Sequence, residues 1–418
     1  MTTSPTTSSR LGFVIGLALL AAFAPFSTDM FLPSLPDIGR ELNVSSTHTQ
    51  LTLSIYLLVL GLSQLIIGPV TDAVGRRRPL MAGLALFLVG SVIAALAPNF
   101  TVLLIARALQ GAGGGLALVV SNASVRDRAD GAAAVRLFSL LMTVSGLGPI
   151  IAPALGGLLQ TTLGWRWVFW TLGVIAVVAI FVSVRYLPES LPRHKRSALS
   201  ITAVARDYDS IVRDRAFLIP ALAVGTSFMV LFAYIGGASI VYQEIYGLSP
   251  ANFGLVFGAT GISVLIGAFV STVLAHRWPA RRTALIGALA MLLGAVVAII
   301  GVLLGGRLPS IVVGVALLEL GLGMGMPSIM TLAMSSGRTL LGSRAALLGA
   351  MQFGFGAIAT PLVGLVLNDD PIGWLILLGV LALVAPILLL VHNRLTPAVN
   401  SEAAALKTSS DPAGVAIG

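Results

Sequence analysis

Three charged residues stand where charge is costly. Asp29, Arg107 and Glu319 each lie inside a long apolar run, where an ionised side chain must find a partner or a wet cavity. Such an acid can take up a proton in one environment and give it back in another, because loss of water favours the neutral form and a neighbouring guanidinium favours the anion. Arg107 stands two turns inside Phe100 and Asp29 two turns inside Pro36. At 1.5 Å per residue both sit about 10 Å below the same surface. Opposite charges therefore share a depth, which leaves open two arrangements: a proton-binding acid beside a modulating cation, or a permanent ion pair that ties two helices together. Glu319 lies near the same depth, and three roles stay open for it: a further proton site, a contact for cationic groups, or an acid that snorkels to the surface. Amides and hydroxyls at Tyr56, Gln64, Gln110, Asn122 and Gln352 supply hydrogen bonds inside the apolar runs. Met142, Phe228, Phe232, Tyr234 and Phe353 supply adaptable apolar surface for a binding cavity.

Other chemistries are poorly served. The chain has no Cys, which removes thiol nucleophiles and disulfides, and its four His fall at run ends or in loops, away from any metal-ligand spacing. No Gly-rich loop ends in Lys followed by Ser or Thr, so ATP-driven work by this chain is excluded. No cofactor, metal or nucleic-acid partner is expected, nor is an enzyme.

What must position these residues is a stack of membrane spans. Of 418 residues, 57% are hydrophobic and only 10% charged, against about 25% charged in soluble proteins, and the mean hydropathy is +0.99. Twelve apolar runs are long enough to cross a bilayer: Leu11 to Pro36, Leu51 to Thr71, Leu80 to Ala97, Phe100 to Ser121, Ala134 to Gln160, Trp165 to Leu187, then Ala216 to Val241, Pro250 to Ala275, Thr283 to Gly305, Ser310 to Met334, Ser343 to Leu367 and Ile372 to Val391. The expected organisation is a tail (1–10), a six-helix half (11–187), a charged central loop (188–215), a second six-helix half (216–393) and a tail (394–418). With both termini in the cytoplasm, only Arg40, Arg166 and Arg307 fall on outer loops, whereas the other Lys and Arg outside the spans fall on inner ones. This is the positive-inside pattern, and it accounts for the net charge of +9 without nucleic acid. The first run mimics a signal peptide through Arg10 and Ala22-Phe23-Ala24, but its removal would take Asp29 with it, so it is read as a retained span.

The halves echo one another. Asp72-Ala73-Val74-Gly75-Arg76-Arg77-Arg78 after the second span has a weaker counterpart in His276 to Arg282 after the eighth, roughly half the chain later. Such duplication places a substrate at mid-membrane between halves.

Three segments carry a more specific signal. Gly68-Pro69-Val70-Thr71-Asp72-Ala73-Val74-Gly75-Arg76-Arg77 combines a glycine suited to close helix contact, an acid able to accept from neighbouring donors or to sit at a helix N-terminus of the other half, and a turn glycine. Arg107-Ala108-Leu109-Gln110-Gly111-Ala112-Gly113-Gly114 surrounds the intramembrane arginine. Gly148-Pro149-Ile150-Ile151-Ala152-Pro153-Ala154-Leu155-Gly156-Gly157 spaces small residues and prolines along the fifth span. The three resemble, in order, the gate-loop motif, the intramembrane Arg motif and the antiporter motif of the major facilitator superfamily, the last departing at Ala152, where that family usually has Gly. Ser27 to Pro36, Val125-Arg126-Asp127, Phe232 to Ile235 and Tyr246 to Pro250 look like the Bcr/CflA branch of twelve-helix drug:proton antiporters, which includes bicyclomycin and phenicol exporters. The resemblance runs from about residue 11 to 393.

This resemblance implies an all-α membrane protein of the major facilitator fold in a bacterial inner membrane, a monomer that exchanges a drug-like small molecule for protons by alternating access. Asp29, Arg107 and Glu319 would serve coupling; Gly68, Asp72, Gly75, Arg76 and Arg77 the cytoplasmic gate; Gly148, Pro149, Ala152, Pro153, Gly156 and Gly157 the antiporter element. An exporter of an endogenous metabolite, such as an amino-acid derivative, sugar or siderophore, is the alternative within transport. A polytopic enzyme or receptor is the alternative outside it, and it lacks the clustered acids or metal ligands an enzyme would need.

Overall fold

The computed structural model describes residues 7–395 except 130, 197, 338, 368 and 369. Arg338, Lys407 and most of both expected tails fall outside these residues. Among those described, twelve helices are long and apolar enough to cross a membrane. In chain order the helices are α1 (Thr7–Asp29), α2 (Leu35–Glu41), α3 (Ser46–Thr49), α4 (Leu51–Val74), α5 (Arg77–Ala95), α6 (Phe100–Arg128), α7 (Gly131–Leu163), α8 (Trp165–Tyr186), α9 (Ile201–Arg213), α10 (Arg215–Ile240), α11 (Pro250–Leu274), α12 (Ala280–Leu303), α13 (Leu308–Ser335), α14 (Leu341–Val366) and α15 (Ile372–Leu395). Several starts are set by capping side chains: Asn99 accepts from the Val102 N–H at 3.0 Å, Asp214 from Ala216 at 3.0 Å and Ser249 from Asn252 at 3.3 Å. Large apolar side chains such as Ile66, Phe181, Phe269 and Leu365 are exposed around the bundle, as a lipid-facing surface requires.

The first apolar run differs from the single continuous span expected. Its helix stops at Asp29, continues as one 3-10 turn over Leu32–Ser34 and resumes as α2. The cause is local. A proline ring clashes with the carbonyl four residues earlier and removes a ladder donor, and the residue four before Pro33 is Asp29. Pro36 then sits in the first turn of α2, where a missing N–H costs nothing. The acid singled out in the sequence thus occupies a helix end. The central loop also differs from expectation, because residues 201–213 form α9, which packs on α10 and α14.

Two helix pairs form the seam between the halves: α4 lies along α14, and α7 lies along α11. The end of the bundle that carries the loop between α4 and α5 is called here the basic face, and the other end the opposite face.

Candidate functional site

At the centre of the first half, Arg107 is completely buried on α6. Its Nη1 donates to Ser27 Oγ at 3.1 Å and to Gln110 Oε1 at 2.8 Å, Nη2 donates to the Ser27 carbonyl at 3.0 Å, and Nε donates to the Thr52 carbonyl at 3.2 Å. The rings of Phe31 and Tyr56 cover its guanidinium with centroids at 4.3 and 4.4 Å, a geometry that stabilises a cation without a counter-ion. Among the described residues no ion pair joins Arg107 to Asp29. The shared depth does hold, since Arg107 grips α1 at Ser27, but the ion pair does not form. Ser27 and Asp29 are two positions apart, roughly 200° around a helix, so the arginine and the carboxyl lie on different sides of α1.

Asp29 is 2% exposed, with Oδ1 lacking any hydrogen-bond partner. Glu319, on α13 in the second half, is 3% exposed and Oε2 likewise lacks one. On α11, which packs against α13, Thr260 donates its hydroxyl to the Phe257 carbonyl at 2.8 Å. The Thr260 hydroxyl also meets Tyr234 Oη at 2.9 Å. Tyr234 in turn stacks on Phe257 at 5.2 Å and on Trp374 at 6.3 Å.

Above this level the opposite face is sealed. Gln50 Nε2 donates to the Gly236 carbonyl at 2.8 Å, Ser239 Oγ to the Leu32 carbonyl at 2.7 Å, and Ser54 Oγ to the Ala357 carbonyl at 2.6 Å. Each of these bonds crosses from one half to the other. The small residues of α7 complete the seal. Gly148 faces Pro25 of α1, Gly156 lies against the Met30 carbonyl, and Gly157 against Pro250 at the start of α11. Any side-chain atom at position 156 would collide with that carbonyl oxygen. Ala152 is wholly buried in this row, so the departure from the family pattern is accommodated by a methyl group. The backbone of Pro153 in turn fills the space beside Gly254.

Toward the basic face the halves part around a cavity of about 450 Å³ lined by Gln64, Asn122, Phe138 and Tyr208 among others. Gln64 is 6% exposed and its Nε2 has no partner. Nearby, Phe228, Phe232 and Phe353 form a triangle of rings with centroids 6.0 to 6.3 Å apart, and Gln352 Nε2 reaches Met330 Sδ at 4.0 Å. Of the ten expected cavity residues, Gln64 and Asn122 line it, whereas Phe228, Phe232, Gln352 and Phe353 are not in its lining. Tyr56 is fully buried over Arg107, Tyr234 is fully buried against Phe257 and Trp374, and two more sit elsewhere. Gln110 is consumed in holding Arg107 and donates its Nε2 to Ser91 Oγ at 2.9 Å. Met142 is 64% exposed on α7 and does not line the cavity; Phe138, one turn earlier, does.

The profile of the Major Facilitator Superfamily matches residues 17–352. The chain belongs to that superfamily. It is 37% identical over 367 residues, 87% of this chain and 90% of the other, to an uncharacterised MFS-type transporter, YdgK, of Bacillus subtilis (strain 168). It is 29% identical over 255 residues to the multidrug resistance protein MdtL of Shigella dysenteriae serotype 1 (strain Sd197), spanning 61% of this chain and 64% of that one. Among solved structures it superimposes on a POT family transporter in complex with 5-aminolevulinic acid, with TM-score 0.74, 14% identity and coverage of 95% and 97%. A D-xylose-proton symporter follows with TM-score 0.70, 17% identity and coverage of 91% and 97%. These structural likenesses establish the fold.

The superfamily's loop motif forms a charged hub on the basic face. Gly75 ends α4 with φ of +98°, a left-handed conformation that glycine adopts without strain. Arg76 pairs with Asp72 at 2.5 Å and with Asp127 of α6 at 3.1 Å. Burial opposes the Arg76 charge, and the carboxylates of Asp127 and Asp72 outweigh it, holding the guanidinium above the ordinary arginine range. Glu189 joins from beyond α8, accepting from the Arg76 N–H at 2.8 Å and the Arg77 N–H at 3.3 Å. Partial burial disfavours its anion, yet those amides, the Leu191 N–H and Arg196 keep its carboxyl below the usual glutamate range. Arg77 ties the same loop to the α8 end through Nη2 and the Val184 carbonyl at 3.0 Å. Glu189 and Asp127 carry as much of this hub as the motif itself. Glu189 was hinted at only by its place in the charged central loop, whereas Asp127 stands in the Val125-Arg126-Asp127 segment at the end of α6.

One expectation for this MFS motif needs correction, and one of two open alternatives is decided. Gly68 makes no close helix contact, because it lines the cavity with open space around it. Asp72 does not cap a helix of the other half; it is turned onto Arg76, while Leu340 and Gly342 at the start of α14 line the same cavity. Both contacts require the cavity to close. Asp72→Asn removes a half-exposed partner of Arg76 here, where Asp127 remains, and should weaken more the state in which the basic face is shut. Cysteine-accessibility labelling from the basic face should rise at cavity positions such as Asn122, and unchanged labelling would leave the loop a topology signal.

Proposed function

We propose that this transporter exports a drug-like small molecule in exchange for protons, with Asp29 as a proton-binding group. The observation that carries the reading is Asp29 itself, an acid at a helix break, buried and without a cationic partner among the described residues. An anion there is costly and a protonated acid is not. Opening of either face changes that balance, so the acid can load from one side and unload to the other. The α7 small-residue row and the MdtL relative support export over uptake. With the termini in the cytoplasm, as the basic loops favour, the state described faces inward: its cavity is open to the cytoplasm and its outer face is shut. Substrate enters against Gln64 and Asn122. The protons carried inward leave, and the halves rock to release the substrate outside. A Bcr/CflA-type exporter in a bacterial inner membrane is the specific form of this reading. Export of an endogenous metabolite rests on the same geometry and differs only in cargo.

A susceptibility panel separates these two cargoes. Overexpression should raise, and deletion lower, the inhibitory concentration of at least one antimicrobial, with the effect abolished by a protonophore in whole-cell efflux assays. Unchanged susceptibility across the panel, together with altered levels of an intracellular metabolite, would establish metabolite export instead.

A further inference from the structure

Pro69 stands inside α4 with no N–H to offer, so the Leu65 carbonyl, four residues earlier, loses its ladder donor. A carbonyl freed in this way needs another partner where water is scarce. It finds one in Tyr208 of α9, whose hydroxyl donates to it at 2.9 Å. Burial, with Asp207 beside it, pushes the Tyr208 phenol above its ordinary range, so the donor proton stays in place. Tyr208 also lines the basic-face cavity, together with Gln64, Gly68 and Pro69 of α4.

α9 itself is carried by the second half. It packs on α10 and α14, and Ile211, one turn after Tyr208, is 1% exposed. Directly after the helix, Asp214 accepts from the Ala216 N–H of α10 at 3.0 Å and from Arg344 Nη2 of α14 at 2.9 Å. The Arg344 guanidinium in turn lies over the Phe217 ring of α10, 5.2 Å from its centroid. The bond from Tyr208 to Leu65 therefore joins a strut fixed to the second half to a helix of the first.

We propose that the Tyr208 hydroxyl, seated on the carbonyl that Pro69 frees, is a brace that holds the basic face open. The bond spans two halves that move against one another, so it exists only near the relative position described. The tyrosine ring also stands in the cavity, whose walls include Asn122 of α6 and Ala345 and Ala346 of α14. Those walls cannot meet until the ring leaves. Shutting the basic face thus breaks the bond and carries the Leu65 carbonyl, still without a ladder donor, into a drier seam. Both losses fall on the shut state. The brace requires only that the halves alternate; neither the cargo nor proton exchange enters into it.

The chain's lack of cysteine makes spin labelling direct. Val184 and Val273 are exposed near the basic-face ends of α8 and α11, one in each half. In Val184→Cys/Val273→Cys protein carrying nitroxides in lipid nanodiscs, the longer inter-label distance reports the open basic face and the shorter one the shut face. Under conditions that populate both, Tyr208→Phe, which removes only the oxygen, should raise the ratio of short to long about two- to tenfold, the worth of one intramolecular hydrogen bond. Pro69→Ala returns an N–H to position 69 and gives the Leu65 carbonyl a ladder partner. In that background Tyr208→Phe should change the ratio by less than about twofold, because the two substitutions act on one carbonyl. A Tyr208→Phe ratio identical to wild type, or shifted toward the long distance, would overturn the proposal. Equal effects of Tyr208→Phe in both backgrounds would also overturn it, by showing that the proline-freed carbonyl is not what the hydroxyl holds. If drug export fails its own test while these ratios are as described, the brace stands and only the cargo is wrong.

Discussion

Asp29→Asn should leave a folded protein in the membrane and reduce proton-driven accumulation of an exported compound in everted vesicles to that of vesicles lacking the protein. The substitution is nearly isosteric, and its expected harmlessness to folding follows from the absence of an ion pair. Arg107 keeps its partners at Ser27, Thr52 and Gln110, so no buried cation is stranded. Arg107→Ala differs sharply. It would orphan the Ser27 carbonyl and the Gln110 amide oxygen, at about 1–3 kcal/mol for each buried group left unsatisfied, and should lower the amount of folded protein as well as transport. Downhill exchange of the compound by Asp29→Asn should survive, because the cavity residues do not include it. Accumulation against a gradient by the Asn variant would remove Asp29 from the coupling step and leave Glu319 to carry it.

Gly156→Leu is the second large effect. The new side chain must displace the Met30 carbonyl, a backbone group directly after Asp29 at the α1 break. Overpacking of this kind costs about 1 to 3 kcal/mol, comparable to the few kcal/mol that separate interchangeable states. The penalty falls on the state with the opposite face sealed and spares the one in which α1 and α7 part. The variant should therefore hold that face open, or leak protons through it, and lose net transport. Gly173→Ala on α8 is the control, since its nearest neighbour, Ser91 Cβ, would be 3.7 Å from the added atom. Equal losses at both positions, read by dissipation of an imposed pH gradient in proteoliposomes, would mean that helix packing in general and not a dedicated seal explains the glycine row.

Much of this architecture was legible because the membrane imposes it. Twelve spans follow from hydropathy alone, and the structure returns twelve with their ends shifted by a few residues. The spacing of Gly148, Gly156 and Gly157 named a close-packed face correctly, since local periodicity decides which residues share a helix side. What sequence could not supply was relative rotation and state. Equal depth for Asp29 and Arg107 was read correctly, yet depth says nothing of azimuth, and an arginine can be satisfied by carbonyls and rings as well as by a carboxylate. Gln110 carries the amide of a cavity residue but points into the first half, because Arg107 three positions earlier claims it. The close helix contact expected at Gly68 and the helix N-terminus offered to Asp72 are not made in the conformation described, where Asp72 meets Arg76 instead. The end of α1 at Asp29 was foreseeable from Pro33, four residues on, had the apolar run not masked the proline's effect.

The central claim is obligatory exchange of substrate for protons, and it is tested most directly in proteoliposomes containing only this protein. A compound picked out by the susceptibility panel is placed outside vesicles with an acidic lumen. It should accumulate inside against its own gradient while the lumen becomes more alkaline in step with uptake, and collapse of the gradient with nigericin should release it. Accumulation that persists after nigericin, or uptake that merely equilibrates and leaves lumenal pH unchanged, would contradict proton antiport by this chain.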